Sequence, residues 1–179
     1  MGDKPIIQRF FELIKLIDNE FYWVTMGGVA VDGYAGGWTR DHQDVDLLIF
    51  RKDLERAENA LRKLGYPYQE FTHPKDGSLV YKIRTDDPDR TFSFQILDKR
   101  GDGEFEVSFY RDLRLVFPMS YIKPVNWLKL EGIRFPAISK DFLIKLKQNE
   151  IKNFKKFIPE KRMGKYLNCL RDIKLLDEK

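Results

Sequence analysis

The chain has a single cysteine, Cys169, among 179 residues. That excludes an internal disulfide and agrees with a reducing cytoplasm. Long hydrophobic runs are missing too. The stretch FYWVTMGGVAV at 21–31 is well short of the roughly 20 apolar residues a spanning helix needs, so no membrane partner is expected. The first twenty positions carry Asp3, Lys4, Glu12 and Lys15 among apolar residues, which does not fit a secretory signal. Only two histidines occur, far apart in the chain. His42 therefore reads as a structural hydrogen-bonder and His73 as a loop residue. Repeats and low-complexity tracts are absent.

What is present suits a packed α+β unit. Hydrophobic residues reach 42%, and the 34% of charged residues are of mixed sign, which argues against disorder. The net charge of +4 is unevenly spread. Residues 140–179 hold 12 Lys/Arg against 6 Asp/Glu, leaving the remainder at −2. A basic tail beside a mildly acidic core suits a polyanion, either nucleotide phosphates or RNA. A solvated helix surface would look the same.

Apolar spacing over 4–20 predicts a helix. The aromatic and β-branched run 21–26 predicts a buried strand, and Gly27-Gly28 then opens a short helix. DVDLLIF at 44–50 reads as a strand buried on both faces beyond Asp46. An amphipathic helix follows over 52–65, with Asp53 as N-cap and Gly65 just past its end. Strands are expected at 78–85, 90–98 and 104–110, the last two joined by a hairpin turn at 99–103. A calcium loop in DKRGDGEFE is excluded because Arg100 stands where an oxygen ligand is needed. Ser139 should cap a helix, and a last helix should cover about 160–177. Three prolines make 111–138 look irregular. The expected organisation is a core over 1–115 and a mainly helical extension over 116–179, packed as one compact unit.

Asp44 and Asp46 carry the chemistry. Alternation along a strand sends both side chains to one face. Two carboxylates side by side repel, and a divalent cation relieves them; hard oxygen ligands suit Mg²⁺, which takes its other ligands from water and phosphates. Nearby, Gly27 and Gly28 end a strand and open a helix, where backbone N–H groups can approach phosphate. Arg40, between turn and strand, suits a phosphate clamp, or a salt bridge to Asp32 or Asp41. Singly, each feature is more often an ordinary turn or surface residue. Their order is what gives them weight: strand, Gly-Gly, helix, Thr-Arg, Asp-x-Asp, strand.

The segment GGVAVDGYAGGWTRDHQDVDLLIF at 27–50 resembles the signature of the aminoglycoside 2″-adenylyltransferase and lincosamide nucleotidyltransferase group, within the DNA polymerase beta-like nucleotidyltransferase superfamily. GIRFPAISKDFLIKLK at 132–147 resembles the segment that opens the C-terminal helices of such proteins. The resemblance implies a mixed, twisted sheet flanked by helices. It also implies Mg²⁺-dependent transfer of a nucleoside monophosphate, AMP from ATP, to a hydroxyl of a small molecule, or of RNA or protein. By it, Gly27 and Gly28 hold phosphates, Asp44 and Asp46 bind metal, Arg40 supports the triphosphate or the turn, and a lysine of the last segment, Lys145 or Lys147, faces the nucleotide. The group usually adds a third carboxylate on a neighbouring strand. Here that position is Ser93. Asp98 falls on the opposite face, and Glu106 on the returning strand is the preferred substitute. Ser93 also supports a competing reading, an impaired nucleotidyltransferase-fold module that binds nucleotide, RNA or protein. KNFKKF at 152–157 interleaves bases with Phe154 and Phe157, which suits base stacking or core packing with the lysines outside.

Overall fold

Alternation along two neighbouring strands sorts the molecule into layers. The computed structural model describes residues 6–42, 44–73, 76–86, 91–110, 113–156 and 163–178. In chain order the elements are α1 (Ile6–Ile17), β1 (Trp23–Met26), α2 (Gly27–Ala35), β2 (Asp44–Phe50), α3 (Leu54–Lys63), β3 (Tyr68–His73), β4 (Asp76–Thr85), β5 (Thr91–Gly101), β6 (Glu104–Tyr110), β7 (Leu113–Pro118), β8 (Asn126–Leu130), β9 (Ile133–Ala137), α4 (Lys140–Lys156) and α5 (Met163–Asp177).

Val45, Leu47 and Ile49 of β2 join Phe92, Phe94 and Ile96 of β5 on one face. There they pack with Phe10, Leu13 and Ile17 of α1 and with Ala57 and Leu61 of α3. On the other face, Leu48 and Leu97 join Val24, Met26 and Val107 in a second core under Phe142, Leu143 and Leu146 of α4 and Leu176 of α5. The apolar positions of α1 recur at helical spacing, which is why that helix has a buried stripe.

One mixed sheet runs in the order β3-β4-β5-β2-β1-β9-β8, with β6 and β7 continuing from β5. β2 and β5 are parallel, with Asp46 opposite Ser93. β1 and β2 are antiparallel, with Met26 opposite Asp46. These two registers fix the Asp-x-Asp pair at the sheet's centre, next to the residue that begins α2.

The stretch 111–138, expected to be irregular, instead supplies β7, β8 and β9. β9 pairs in parallel with β1, so the sheet itself extends past residue 115. Pro136 is compatible with strand pairing because it stands opposite Trp127 near the outer hairpin. His73, expected in a loop, closes β3 opposite Asp76. Asp53 occupies the residue before α3 but makes no side-chain cap; it pairs with Arg56 at 3.6 Å. Ser139 does cap α4, its Oγ accepting from the Phe142 N–H at 3.2 Å. Phe157 lies outside the described residues, as does the side chain of Phe154. No described helix is long and apolar enough to cross a membrane.

The junction of β1 with β9 depends on buried Thr25. Its Oγ1 donates to the Pro136 carbonyl at 2.8 Å, and its carbonyl accepts from the Ile138 N–H at 3.1 Å. Thr25→Val keeps the shape but strands the Pro136 carbonyl. It is expected to lower stability by about 1–2 kcal/mol, read as a lower urea midpoint at unchanged slope. An unchanged midpoint would show that this contact does not hold β9.

Candidate active site

Asp44 and Asp46 stand on one face of β2, as alternation requires. Asp44 is exposed and Asp46 half-buried. They line a cleft of about 920 Å³ together with Gly27, Gly28, Arg40 and residues of α4 and α5. Burial, then the neighbouring charge of Asp44, pushes the Asp46 carboxyl up to about 6, while Lys82 and Lys165 pull it down. A half-buried acid pressed by a second one is a site short of positive charge, so the donor set fits a hard divalent cation. Among the described residues no third His, Cys, Asp or Glu joins them in a metal-holding group.

The glycine pair has a use that the sequence did not reveal. Gly27 has φ +70°, and a Cβ there would come within 2.8 Å of Asp46 Oδ2. At Gly28 a Cβ would meet the His42 ring at 2.6 Å and Arg40 Nη2 at 2.7 Å. The glycines therefore let the acid, the imidazole and the guanidinium close in on the first turn of α2. That turn has no side-chain cap, so its leading N–H groups remain available at the cleft wall.

The loop between α2 and β2 is pinned from both sides. Buried Asp32 accepts from Thr39 Oγ1 at 2.5 Å and holds His42 Nε2 at 2.6 Å. The expected structural role of His42 is thus filled by Asp32. Arg40 turns instead to α5, with Nη2 3.5 Å from Asp172 Oδ2, rather than to Asp32 or Asp41. Among the described residues, its Nε is buried without a hydrogen-bond partner, as is Asp172 Oδ1. Arg171 donates to the Thr39 carbonyl, tying α5 to the same loop.

Of the two candidate lysines, Lys147 faces the cleft and Lys145 does not. Lys145 is exposed and donates to Tyr121 Oη, its ammonium 4.5 Å above the Tyr121 ring centre. Lys147 is 8% exposed, 3.0 Å from Asp172 Oδ2 and 3.9 Å from Glu150. Burial lowers its affinity for a proton, but Glu150 and Asp172 more than restore it, and the net shift is upward. The lysines are two positions apart, and on a helix that spacing puts them on different faces.

Glu106 does not reach the cleft either. It sits opposite Asp98 in β5, five strand positions beyond the level of Ser93 and so on the other face of the sheet. Arg100 holds it at 2.6 Å and Arg114 at 3.3 Å. The pairing of Asp98 with Arg51 at 2.7 Å likewise commits that acid elsewhere. Ser93 is buried between Asp46 on β2 and Arg84 on β4.

A family model described as aminoglycoside-2″-adenylyltransferase matches residues 10–142, about three-quarters of the chain. The chain belongs to that family. No curated protein is matched by its sequence. The lincomycin-bound lincosamide antibiotic adenylyltransferase LnuA shares the fold, with a TM-score of 0.67 at 16% identity over 98% of each chain. ANT(2″)-Ia in complex with adenylyl-2″-tobramycin aligns with a TM-score of 0.63 at 15% identity, over 95% of this chain and 93% of that one.

The adenylyltransferase family match stops before α5, and so did the sequence reading of the site. Lys165, Asn168 and Cys169 line the cleft, and Asp172 lies one turn on. The spacing i, i+3, i+4, i+7 was visible as a helix face, but nothing local says that this face turns to the cleft rather than to solvent. Cys169 donates to Glu150 Oε2 at 2.9 Å, and burial first, then Glu150, pushes its thiol up to about 12. It should resist iodoacetamide at pH 8 in the native protein and react on unfolding; rapid native labelling would contradict that burial.

Asp46 also predicts how stability changes with pH. Its folded-state affinity for a proton exceeds the unfolded one, so the folded state binds more protons between about pH 4 and 6. Ionising it therefore costs stability, and the cost is complete above about pH 6. In metal-free protein, Asp46→Asn should raise stability at pH 8 by about 1–3 kcal/mol, and the gain should vanish toward pH 4. Urea unfolding in EDTA at both pH values measures this. A variant no more stable than the parent at pH 8 would mean that Asp46 is not under this strain.

Proposed function

We propose that the protein moves AMP from ATP to a hydroxyl of an acceptor molecule, with Mg²⁺. The observation that carries the reading is one cleft that joins the Asp44–Asp46 pair to the uncapped start of α2 and to Arg40, Lys147 and Lys165. Carboxylates for a cation and donors for phosphate are what a metal-bound triphosphate needs. Family membership and the likeness to adenylyltransferases of antibiotics support the same reading.

Asp44 and Asp46 would hold Mg²⁺, which when bound neutralises charge on the phosphates and leaving group. The leading amides of α2 receive phosphate oxygens, and Arg40 and Lys147 add positive charge from either wall. Asp172 fixes both cations so that they need no reordering when the nucleotide enters. The acceptor oxygen bonds to the α-phosphorus, the bond from that phosphorus to its bridging oxygen breaks, and pyrophosphate leaves with the electron pair. The hydroxyl proton is released to water. Positioning and charge supply most of the rate.

Ser93 favours a second reading, a module that binds nucleotide without turning it over. The two readings separate on pyrophosphate release. With ATP, Mg²⁺ and a panel of hydroxylated acceptors, the parent should release pyrophosphate and Asp44→Asn should fall about a hundredfold or more, with its circular dichroism unchanged. EDTA should abolish release. Binding of ATP without release by the parent would favour the binding module, and an undiminished Asp44→Asn would remove the metal assignment.

A further inference from the structure

The face of the sheet that carries Asp46 continues outward across three strands. Asp46 stands opposite Ser93, Ser93 opposite Arg84, and Arg84 opposite Gln69. One level along, Leu48 stands opposite Gln95, Gln95 opposite Lys82, and Lys82 opposite Phe71. Residues directly opposite on neighbouring strands point to the same side. The floor beside the carboxylate pair is therefore Ser93 and Gln95, and its far wall is Lys82 and Arg84.

Three properties of this wall point to a ligand. Its charge is positive, and Lys82 is close enough for its charge to act on Asp46. Both cations lie over the Phe71 ring, at 6.0 and 5.3 Å from its centre, which holds them in place, and the carboxylates whose charge reaches Lys82 are those of the cleft pair, Asp46 and Asp44. Finally, Gln95 is only 4% exposed, yet among the described residues its Oε1 has no hydrogen-bond partner. A buried acceptor atom is costly when unpaired, and a hydroxyl donor would satisfy it. Among the described residues of this face, Asp86 is the nearby acid on the outer strands, and it accepts from Gln69 at 2.7 Å at the sheet's edge.

We propose that the acceptor is a small hydroxylated molecule bearing a carboxylate or phosphate, with Lys82 and Arg84 receiving that acidic group and the Ser93–Gln95 floor receiving hydroxyls next to Asp46. The proposal rests on the nucleotidyl-transfer reading for the identity of the reaction, but not for the preference in binding. A polycationic acceptor would meet repulsion on this wall, and an uncharged one would gain nothing from its charge.

Four probes of matched size test it: gluconate, glucose 6-phosphate, glucose and glucosamine. Each is titrated by NMR into the protein saturated with a non-hydrolysable ATP analogue and Mg²⁺, so that the triphosphate positions are filled. The acids should bind about tenfold or more tighter than glucose, and glucosamine weakest. Gluconate against glucose 6-phosphate tells a carboxylate preference from a phosphate one, and either supports the proposal. Lys82→Gln and Arg84→Gln, made singly, should each erase most of the preference, and Arg84→Gln should leave the analogue's own affinity unchanged. Equal binding of acids and glucose overturns the proposal, as does a preference that neither variant moves. Tighter, steeply salt-dependent binding of an RNA oligonucleotide with no uptake of the small acids also overturns it. Calorimetry with the analogue alone reads the nucleotide site separately. No uptake there defeats the transfer reading, while the preference for acids is still measured on the unliganded protein.

Discussion

Two like charges held on one face of a short strand set the terms for everything around them. Asp44 and Asp46 cannot move apart, because β2 is locked between β1 and β5 by the registers that place Met26 and Ser93 beside Asp46. Nor can Asp46 relax into water, because the first turn of α2 sits against it. The resulting rise in its proton affinity is a measure of stored electrostatic conflict. Folding alone does not resolve that conflict; a bound divalent cation would. The core on the opposite face, built on Val45, Leu47 and Ile49, is what keeps the strand in place despite it.

The same logic explains α4 and α5. Positive groups gathered on one cleft wall would repel one another, so each has an acidic partner. Asp172 serves Arg40 and Lys147 at once, and Glu150 shares Lys147 with the Cys169 thiol. The unpaired Arg40 Nε and Asp172 Oδ1 mark where this arrangement falls short of full satisfaction. A ligand with several acceptor oxygens complements the unpaired Arg40 donor, which a purely structural network would have satisfied internally. Fixing α5 to the loop through Arg171 and Thr39 makes the cleft wall rigid, and rigid donors cost less to use than mobile ones.

Local rules made the central unit legible. Strand alternation placed Asp44 and Asp46 together, the Gly-Gly pair announced a strand-to-helix turn, and Ser139 announced a helix start. What the sequence hid was pairing between distant segments. The Asp32–His42 pair spans a loop, and the glycines turned out to make room for side chains of this same loop and strand. Glu106 looked available because it stands on the strand returning beside β5, but the register pairs it with Asp98, on the face away from Ser93, where Arg100 and Arg114 converge on it. The choice between Lys145 and Lys147 was equally closed, since both orientations satisfy an amphipathic helix until Tyr121 is placed beside one of them. The prolines at 118, 124 and 136 suggested irregularity, whereas an outer hairpin and a parallel edge to β1 accommodate strands there.

Ser93 connects these points. A carboxylate at that position would stand opposite Asp46 and opposite Arg84 at once, adding a third negative charge to a pair already in conflict. The chain has instead a neutral hydroxyl there and cations beyond it. Lys82, whose own proton affinity burial lowers and Asp46 partly restores, then acts as a distant counter-charge to the carboxylates. On the proposed reading, Ser93 supplies no base, and the floor would tolerate a negative group on the incoming acceptor. In an enzyme whose catalysis is mainly placement and charge neutralisation, losing a base slows proton removal but leaves the phosphate-binding half intact. Changing the sign of the outer wall, by contrast, changes which molecules can approach at all. Ser93 is thus better understood together with Lys82 and Arg84, as one feature of the electrostatics beside Asp46, than in isolation.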